Sequence, residues 1–116
     1  MAKKFDAIII GTGQAGPSLA ARMTQEGMET AIIERKLFGG TCVNVGCIPT
    51  KTLIASARAA HMARRGRDFG VTIDGSIQVD MKQVKARKDG IVRQSNEGVT
   101  KWLKTMKNLT VYEGHG

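Results

Sequence analysis

A glycine-rich turn between a predicted strand and a predicted helix constrains the fold of this chain most. Residues 5–10 are mostly apolar, which is typical of a buried parallel strand. The sequence Gly-Thr-Gly-Gln-Ala-Gly follows at 11–16, and a helical pattern then continues to Gly27. A second predicted strand covers 29–33 and stops at Glu34. Strand, G-x-G-x-x-G, helix and strand in this order predict a dinucleotide-binding unit.

The positions within this unit have distinct expected roles. Gly11 makes the tight turn, Gly13 lets the backbone approach a pyrophosphate, and Gly16 lets the helix pack against the strand. The helix N-terminus offers free N–H groups to phosphates. Glu34 can accept a hydrogen bond from a ribose hydroxyl, which favours FAD or NAD over NADP. The alternative is that the glycines serve only as turn residues.

The only two cysteines of the 116 residues, Cys42 and Cys47, lie five positions apart. A bridge between them would close a short loop and stabilise little, so a redox role is favoured over a structural one. In an ideal helix, Cα atoms at this spacing are about 8.6 Å apart, beyond the roughly 7 Å that a disulfide allows. A bridge therefore requires a distorted turn, which Gly46 permits. Because 50–65 is predicted as a helix, Cys47 lies near its N-terminus, where the helix dipole and Lys51 favour a thiolate.

Two other interpretations of the cysteines remain open. A structural zinc site needs four ligands, and the only histidines, His61 and His115, stand at no standard spacing from the cysteines. We therefore predict no metal site. The second alternative is an inert pair of free thiols.

The remaining residues are predicted to form structural elements without a direct role in chemistry. Residues 69–73 and the Asp-Gly pair after them indicate a short strand and turn, or a loop. Asp80 is the expected N-cap of a long helix from 81 to about 107, in which Gly90 and Gly98 are candidate bend positions. A third strand is predicted at 109–112. An apolar stripe on the long helix predicts ordinary packing through Val84, Ile91, Val92, Val99, Trp102, Leu103 and Met106.

The chain is basic, with a formal net charge of +8. Its lysines and arginines spread over helical positions and do not alternate with aromatic residues, which favours a solvated helix face over nucleic-acid binding. No apolar run reaches the length of a membrane span, and the N-terminal residues do not have the pattern of a secretory signal. We therefore expect a cytoplasmic protein that has neither a membrane nor a nucleic acid as its partner.

The fingerprint, the acidic residue after it and the sequence GGTCVNVGCIPTK at 39–51 together resemble flavin-dependent pyridine nucleotide–disulfide oxidoreductases. This family includes dihydrolipoamide dehydrogenase, glutathione reductase and mercuric reductase. The resemblance covers essentially the whole chain, and residues 11–17 and 36–40 resemble the mercuric reductase subgroup most. It implies an α/β fold: part of a Rossmann-like FAD-binding domain, with a parallel sheet, flanking helices and one long basic helix.

The resemblance also implies the site residues. Cys47 would lie against the isoalloxazine ring as the charge-transfer thiolate, and Cys42 would exchange with substrate. Electrons would pass between NAD(P)H, FAD and the Cys42–Cys47 disulfide to a small-molecule disulfide, a thiol or a metal ion. The implied FAD-binding residues are Gly11, Thr12, Gly13, Gln14, Ala15, Gly16, Glu34, Arg35, Gly40, Thr41, Cys42, Cys47, Lys51, His115 and Gly116.

Members of this family have several hundred residues. Residues 1–116 are therefore expected to be the N-terminal portion of an FAD-binding domain, without the NAD(P)H-binding and interface domains. The full-length enzyme would be a homodimer, and the 116 residues alone would be inactive. One alternative is a stand-alone FAD- or nucleotide-binding module without NAD(P)H turnover, and a weaker one is a basic nucleic-acid-binding remnant.

Overall fold

The computed structural model describes residues 2–116. These residues form three strands and four α-helices, with one short 3-10 helix after the third α-helix. Their bounds are β1 Ala7–Ile10, α1 Gly16–Gln25, β2 Thr30–Glu34, α2 Gly40–Asn44, α3 Cys47–Arg64, the 3-10 helix Gly66–Phe69, α4 Met81–Thr105 and β3 Leu109–Glu113.

The three strands form one parallel sheet in the order β1-β2-β3. Thr30 of β2 is paired with Ala7 of β1 on one side and with Leu109 of β3 on the other. Helix α1 connects the first two strands, and the segment containing α2, α3 and α4 connects the second to the third. The predicted α/β class, with a parallel sheet and flanking helices, is confirmed.

The core lies between one face of the sheet and helices α1 and α4. Leu103 of α4 is fully buried, which confirms the packing role predicted for this member of the apolar stripe. Trp102 in the same stripe is instead 44% exposed. The buried apolar cluster consists of Ile9, Ala20, Ile32, Phe38 and Leu103.

The opposite face of the sheet is not covered within residues 2–116. Ile8 and Ile10 of β1 are 62% and 71% exposed, whereas Ile9 between them is buried. The prediction of a strand buried on both faces is therefore wrong here. The physical reason is handedness: parallel strands are joined by right-handed crossovers, and two successive crossovers in the same direction place their helices on the same face.

Several elements differ from the sequence prediction. Helix α3 begins at Cys47, three residues earlier than expected, and the preceding short helix α2 was not predicted. The strand alternative at 69–73 is wrong, because the chain there leaves the 3-10 helix and forms a loop. Helix α4 ends at Thr105 rather than near 107.

The N-cap of α4 follows the prediction. The Asp80 carboxylate accepts hydrogen bonds from the backbone N–H groups of Lys82 and Gln83, at 2.9 and 3.2 Å. This cap satisfies two of the N–H groups that a helix start leaves unpaired. The helix then runs without interruption through Gly90 and Gly98 for 25 residues.

Candidate active site

Two positions of the turn between β1 and α1, 13 and 16, are glycine for different structural reasons. A Cβ atom on Gly16 would lie 2.2 Å from the carbonyl oxygen of Gly11, so only glycine lets α1 begin against the turn. A Cβ atom on Gly13 would meet nothing within 4 Å. Packing inside the chain therefore explains Gly16 but leaves the glycine at position 13 unexplained. Open space above Gly13 fits the close approach of a ligand to the backbone.

Glu34 lies at the end of β2, beside the glycine turn. One carboxylate oxygen accepts hydrogen bonds from the hydroxyl and the backbone N–H of Thr12, at 2.6 and 3.0 Å. The other accepts from the backbone N–H of Lys36 at 2.8 Å. Partial burial raises the pKa of the Glu34 carboxyl, but these hydrogen bonds outweigh it and leave the pKa below its usual value. Glu34 is thus held in place as a carboxylate.

A cleft of about 340 Å³ opens at the carboxyl ends of all three strands. Gly11 lines it after β1, Glu34 and Arg35 after β2, and His115 and Gly116 after β3. The Gly114 N–H donates to the carbonyl oxygen of Glu34 at 2.8 Å, which ties the last residues to the second strand. The structure therefore brings together five residues that the sequence analysis predicted, from separate parts of the chain, to bind the cofactor. Their role as FAD-binding residues stays a prediction.

The two cysteines belong to two different helices. Cys42 lies in the five-residue helix α2, and Cys47 is the first residue of the 18-residue helix α3. The break between them falls at Val45 and Gly46. A Cβ atom on Gly46 would lie 2.9 Å from the carbonyl oxygen of Thr41, so this close approach of the two helices requires glycine. The break gives the cysteines the non-helical path that a bridge between them needs.

Both cysteines are free thiols in this structure, Cys47 exposed and Cys42 half-buried. A hydrogen bond to the Cys47 side chain, partial desolvation and the charge of Cys47 raise the pKa of the Cys42 thiol, against a smaller opposing effect of Lys51. Cys42 therefore retains its proton to a higher pH than an ordinary cysteine. Two free thiols can be joined as a disulfide by thiol–disulfide exchange.

The cysteine segment packs directly on the glycine turn. A Cβ atom on Gly40, at the start of α2, would lie 2.8 Å from the Cα atom of Gly13. The Gly39 N–H also donates to the carbonyl oxygen of Thr12 at 3.0 Å. The redox-capable residues and the nucleotide-type turn thus form one continuous site.

Sequence reasoning missed an amide pair beneath this segment. The side chain of Asn44, located between the cysteines, donates to the carbonyl oxygens of Phe38 and Gly40, both at 2.9 Å. The side chain of Asn96 in α4 donates to the same Phe38 oxygen at 2.7 Å and to the Asn44 side-chain oxygen at 3.1 Å. Asn44 could have been noticed in the sequence, because it is a polar residue between the two cysteines. Its partner Asn96 could not, because it lies 52 positions away.

Within residues 2–116 no group of three or more histidine, cysteine, aspartate or glutamate side chains is placed to hold a metal ion. None of the helices described there combines the length and the apolar character that crossing a membrane requires.

A nucleotide-type β–α–β turn joined to a dithiol at a helix start is the arrangement of a flavoprotein disulfide reductase. The family model described as pyridine nucleotide-disulphide oxidoreductase matches residues 5–115. The chain belongs to this family, which confirms the resemblance found in the sequence at the family level and makes the chain part of an oxidoreductase family.

Several relatives match nearly the whole chain. It is 39% identical over 116 residues, 100% of its length, to a dihydrolipoyl dehydrogenase of Acholeplasma laidlawii, of which it covers 34%. It is 43% identical over 107 residues, 92% of its length, to the dihydrolipoyl dehydrogenase of Rhizobium etli, of which it covers 22%. The chain therefore spans between about a fifth and a third of the length of these relatives.

Solved structures show the same fold. The Cu(II) complex of the HOCl-induced flavoprotein disulfide reductase RclA from Escherichia coli superposes with a TM-score of 0.74 at 33% identity, covering 98% of this chain and 22% of that one. A second RclA structure gives a TM-score of 0.70 at 33% identity, covering 94% and 21%. These likenesses match the fold to the Rossmann-like FAD-binding region of flavoprotein disulfide reductases. Membership of the mercuric reductase subgroup stays a prediction.

Proposed function

We propose that residues 1–116 are the N-terminal portion of the FAD-binding domain of a flavin-dependent disulfide oxidoreductase. In the whole enzyme, electrons pass between NAD(P)H, FAD and the Cys42–Cys47 pair to a small-molecule disulfide, a thiol or a metal ion. The observation that carries this proposal is the direct packing of the cysteine segment on the glycine turn at Gly40 and Gly13. A dithiol located there can exchange electrons with a cofactor held by the turn.

The residues present fit FAD. The ionised Glu34 lies in the cleft that reaches His115 and Gly116. Gly11 lines the same cleft, and open space lies at Gly13 in the same glycine turn. When bound, FAD supplies the two-electron chemistry that connects a nicotinamide with a dithiol. Backbone N–H groups of the turn would hold the pyrophosphate, Glu34 the ribose, and Lys51 would lie near the flavin ring.

The dithiol can reduce a substrate disulfide in two balanced exchanges. The Cys42 sulfur, as thiolate, attacks one substrate sulfur and releases the first substrate thiol. The Cys47 sulfur then attacks the Cys42 sulfur of the mixed disulfide and releases the second. Two electrons and two protons leave the protein, and the Cys42–Cys47 disulfide forms. Because the pKa of the Cys42 thiol is raised, its proton must first pass to an acceptor before the sulfur can attack as thiolate.

The uncovered sheet face supports the interpretation as part of a larger unit. Ile8 and Ile10 expose most of their side chains on a face that has no helix over it within residues 2–116. Apolar residues of a parallel sheet are ordinarily covered on both sides. This observation favours a portion of a domain over the stand-alone nucleotide-binding module. A homodimer, a cytoplasmic location and inactivity of the 116 residues alone belong to the same proposal and rest on the resemblance.

The substrate class rests on the relatives. The curated relatives are dihydrolipoyl dehydrogenases, whose name supports a dithiol or disulfide substrate. RclA has been solved as a Cu(II) complex, which supports retaining a metal ion as the second candidate, as a mercuric reductase-like protein would require.

The first experiment is a visible absorption spectrum of the purified 116-residue chain, with any released cofactor identified by mass. FAD that stays with the protein through purification supports the proposal, whereas retained NAD overturns the choice of FAD. Cysteine variants then test the roles of the two sulfurs. After two-electron reduction, Cys47→Ser should abolish the long-wavelength flavin–thiolate absorbance, and Cys42→Ser should retain it but block exchange with dithiols. Reversed results would contradict the assignment of the two sulfurs.

A further inference from the structure

The segment that carries Cys42 is too short to hold its own shape. Helix α2 has five residues, and helices of this length are unstable alone because their nucleation is costly. Reduction of a Cys42–Cys47 disulfide also removes the covalent link that would restrain the segment. In the structure described here both cysteines are free thiols, and Cys42 nevertheless lies within a formed helix α2. Something other than a disulfide holds Cys42 in position.

The hydrogen bonds identify that restraint. The Asn44 Nδ2 group faces two carbonyl oxygens, which leaves its Oδ1 atom free to accept from Asn96. The Asn96 Nδ2 group in turn faces two acceptors, the Phe38 carbonyl and Asn44 Oδ1. Every donor in this arrangement points at an oxygen, so the orientations of both amides are mutually consistent. We call this set of bonds the amide clamp, formed by Phe38, Gly40, Asn44 and Asn96.

Asn96 is the only member of the amide clamp that lies outside the cysteine segment and its approach. It belongs to the 25-residue helix α4, whose Leu103 is fully buried in the core. The clamp therefore connects a short, intrinsically unstable helix to a long helix that is anchored in the core by Leu103. Its bonds join two backbone oxygens before Cys42, those of Phe38 and Gly40, to the Asn44 side chain after it, so they restrain the path of the Cys42 segment without touching either sulfur.

We propose that Asn96 is a positioning residue for the dithiol, holding the reduced Cys42 segment in the geometry that the disulfide requires. This role rests on the proposed redox function of the two cysteines. A restrained dithiol loses little conformational freedom when it closes, so its effective concentration for ring closure is high. Loss of the Asn96 donor frees the reduced segment more than the bridged one. The equilibrium then moves toward the dithiol, and the disulfide becomes easier to reduce.

The test measures thiol–disulfide exchange of the 116-residue chain with glutathione, in which the dithiol and one glutathione disulfide give the protein disulfide and two glutathione thiols. Asn96→Asp keeps the shape of the side chain but removes its donor, and Asn96→Ala removes the amide. Gln94→Ala, at an exposed position of the same helix, is the matched control. Each variant loses two hydrogen bonds of ordinary strength, so we expect the equilibrium constant to shift about 5- to 30-fold toward the dithiol. The control should remain within about twofold of the parent chain, the scatter that surface substitutions produce.

Three outcomes overturn the proposal: both Asn96 variants remain folded with an unchanged equilibrium constant, the control shifts equally, or both Asn96 variants lose the native circular dichroism spectrum. The last would show a global structural role instead of a local one. A second readout is the rate of Cys42 alkylation in the folded dithiol, which should rise in the Asn96 variants. Since neither readout needs flavin, a chain that binds no FAD can still show the shift. If the chain binds FAD but its Asn96 variants show no shift in the exchange equilibrium, the positioning role is refuted and the proposed FAD-binding function is not.

Discussion

Gly13 and Gly16 allow the strongest test of the cofactor site, because the structure assigns opposite consequences to the same substitution three residues apart. In Gly16→Ala the new methyl group would lie 2.2 Å from the backbone oxygen of Gly11. Backbone atoms cannot move aside as a flexible side chain can, so the cost lies at the upper end of overpacking, about 3 kcal/mol. The helix propensity of alanine returns up to about 1 kcal/mol. We expect a net loss of about 2 kcal/mol, or roughly 8 °C in Tm for a chain of this size.

Gly13→Ala should behave differently. Its Cβ atom meets nothing within 4 Å, and Gly13 is not among the residues with positive φ. Alanine at such a position stabilises by about 0.4–1 kcal/mol, because it reduces the freedom of the unfolded chain. The same methyl group would occupy the space that we assign to the FAD pyrophosphate. Gly13→Ala should therefore fold at least as stably as the parent chain but bind FAD poorly.

The assay is a thermal melt of each variant with and without FAD. A ligand present at 100 times its Kd raises stability by about 2.7 kcal/mol, so FAD should raise the Tm of the parent chain but not that of Gly13→Ala. Gly16→Ala should melt early in both conditions. The reasoning is refuted if Gly13→Ala destabilises the cofactor-free protein as much as Gly16→Ala does. In that case the fold itself, and not a ligand, would require glycine at position 13.

Three further predictions follow from the structure. Because the hydrogen bond to Cys47 is the largest cause of the raised pKa of Cys42, Cys47→Ala should lower that pKa and speed alkylation of Cys42 at pH 8; an unchanged pH–rate profile would contradict it. Thr12→Val removes the hydroxyl donor to Glu34, so the depressed pKa of the Glu34 carboxyl should rise. The stability that this carboxylate provides above its unfolded pKa should then be lost at a higher pH when the solution is acidified. NMR titration of the Glu34 carboxyl would detect the first effect, and acid unfolding the second. Leu103→Ala, at a fully buried position, should cost about 2–5 kcal/mol in urea unfolding, and a cost below 1 kcal/mol would refute its place in the core.

The raised pKa of Cys42 and the amide clamp act on different properties of the same dithiol. The pKa depends on the hydrogen bond and charge at the sulfur atoms, whereas the clamp acts on the backbone that carries Cys42. Cys47→Ala should therefore alter the pH dependence of Cys42 reactivity, and Asn96→Asp the position of the exchange equilibrium. Measuring the pH dependence of Cys42 alkylation in both variants, and the exchange equilibrium in Asn96→Asp, which keeps both cysteines, would separate the chemistry of the thiol from its positioning.

Local sequence determined much of this protein. The period of two or 3.6 residues, the glycine spacing and the acid after the second strand are short-range patterns, and they predicted the β–α–β unit, the Asp80 cap and the parallel sheet. The cysteine spacing indicated that a bridge would require a distorted turn, which Gly46 would permit, although not that Cys47 itself would begin α3. The break brings two backbone segments close together, and the glycine at position 46 is the sequence signal for this close approach.

Tertiary structure alone decided three further features. The exposure of Ile8 and Ile10 depends on the hand of the crossovers, to which an apolar run contributes no signal. Gly13 and Gly16 look alike in the motif, but the structural reason for glycine differs between the two positions because different atoms lie near them. The partnership of Asn44 with Asn96 joins positions 52 residues apart. Periodicity and turn chemistry act over a few residues, whereas these contacts exist only after the chain has folded back on itself.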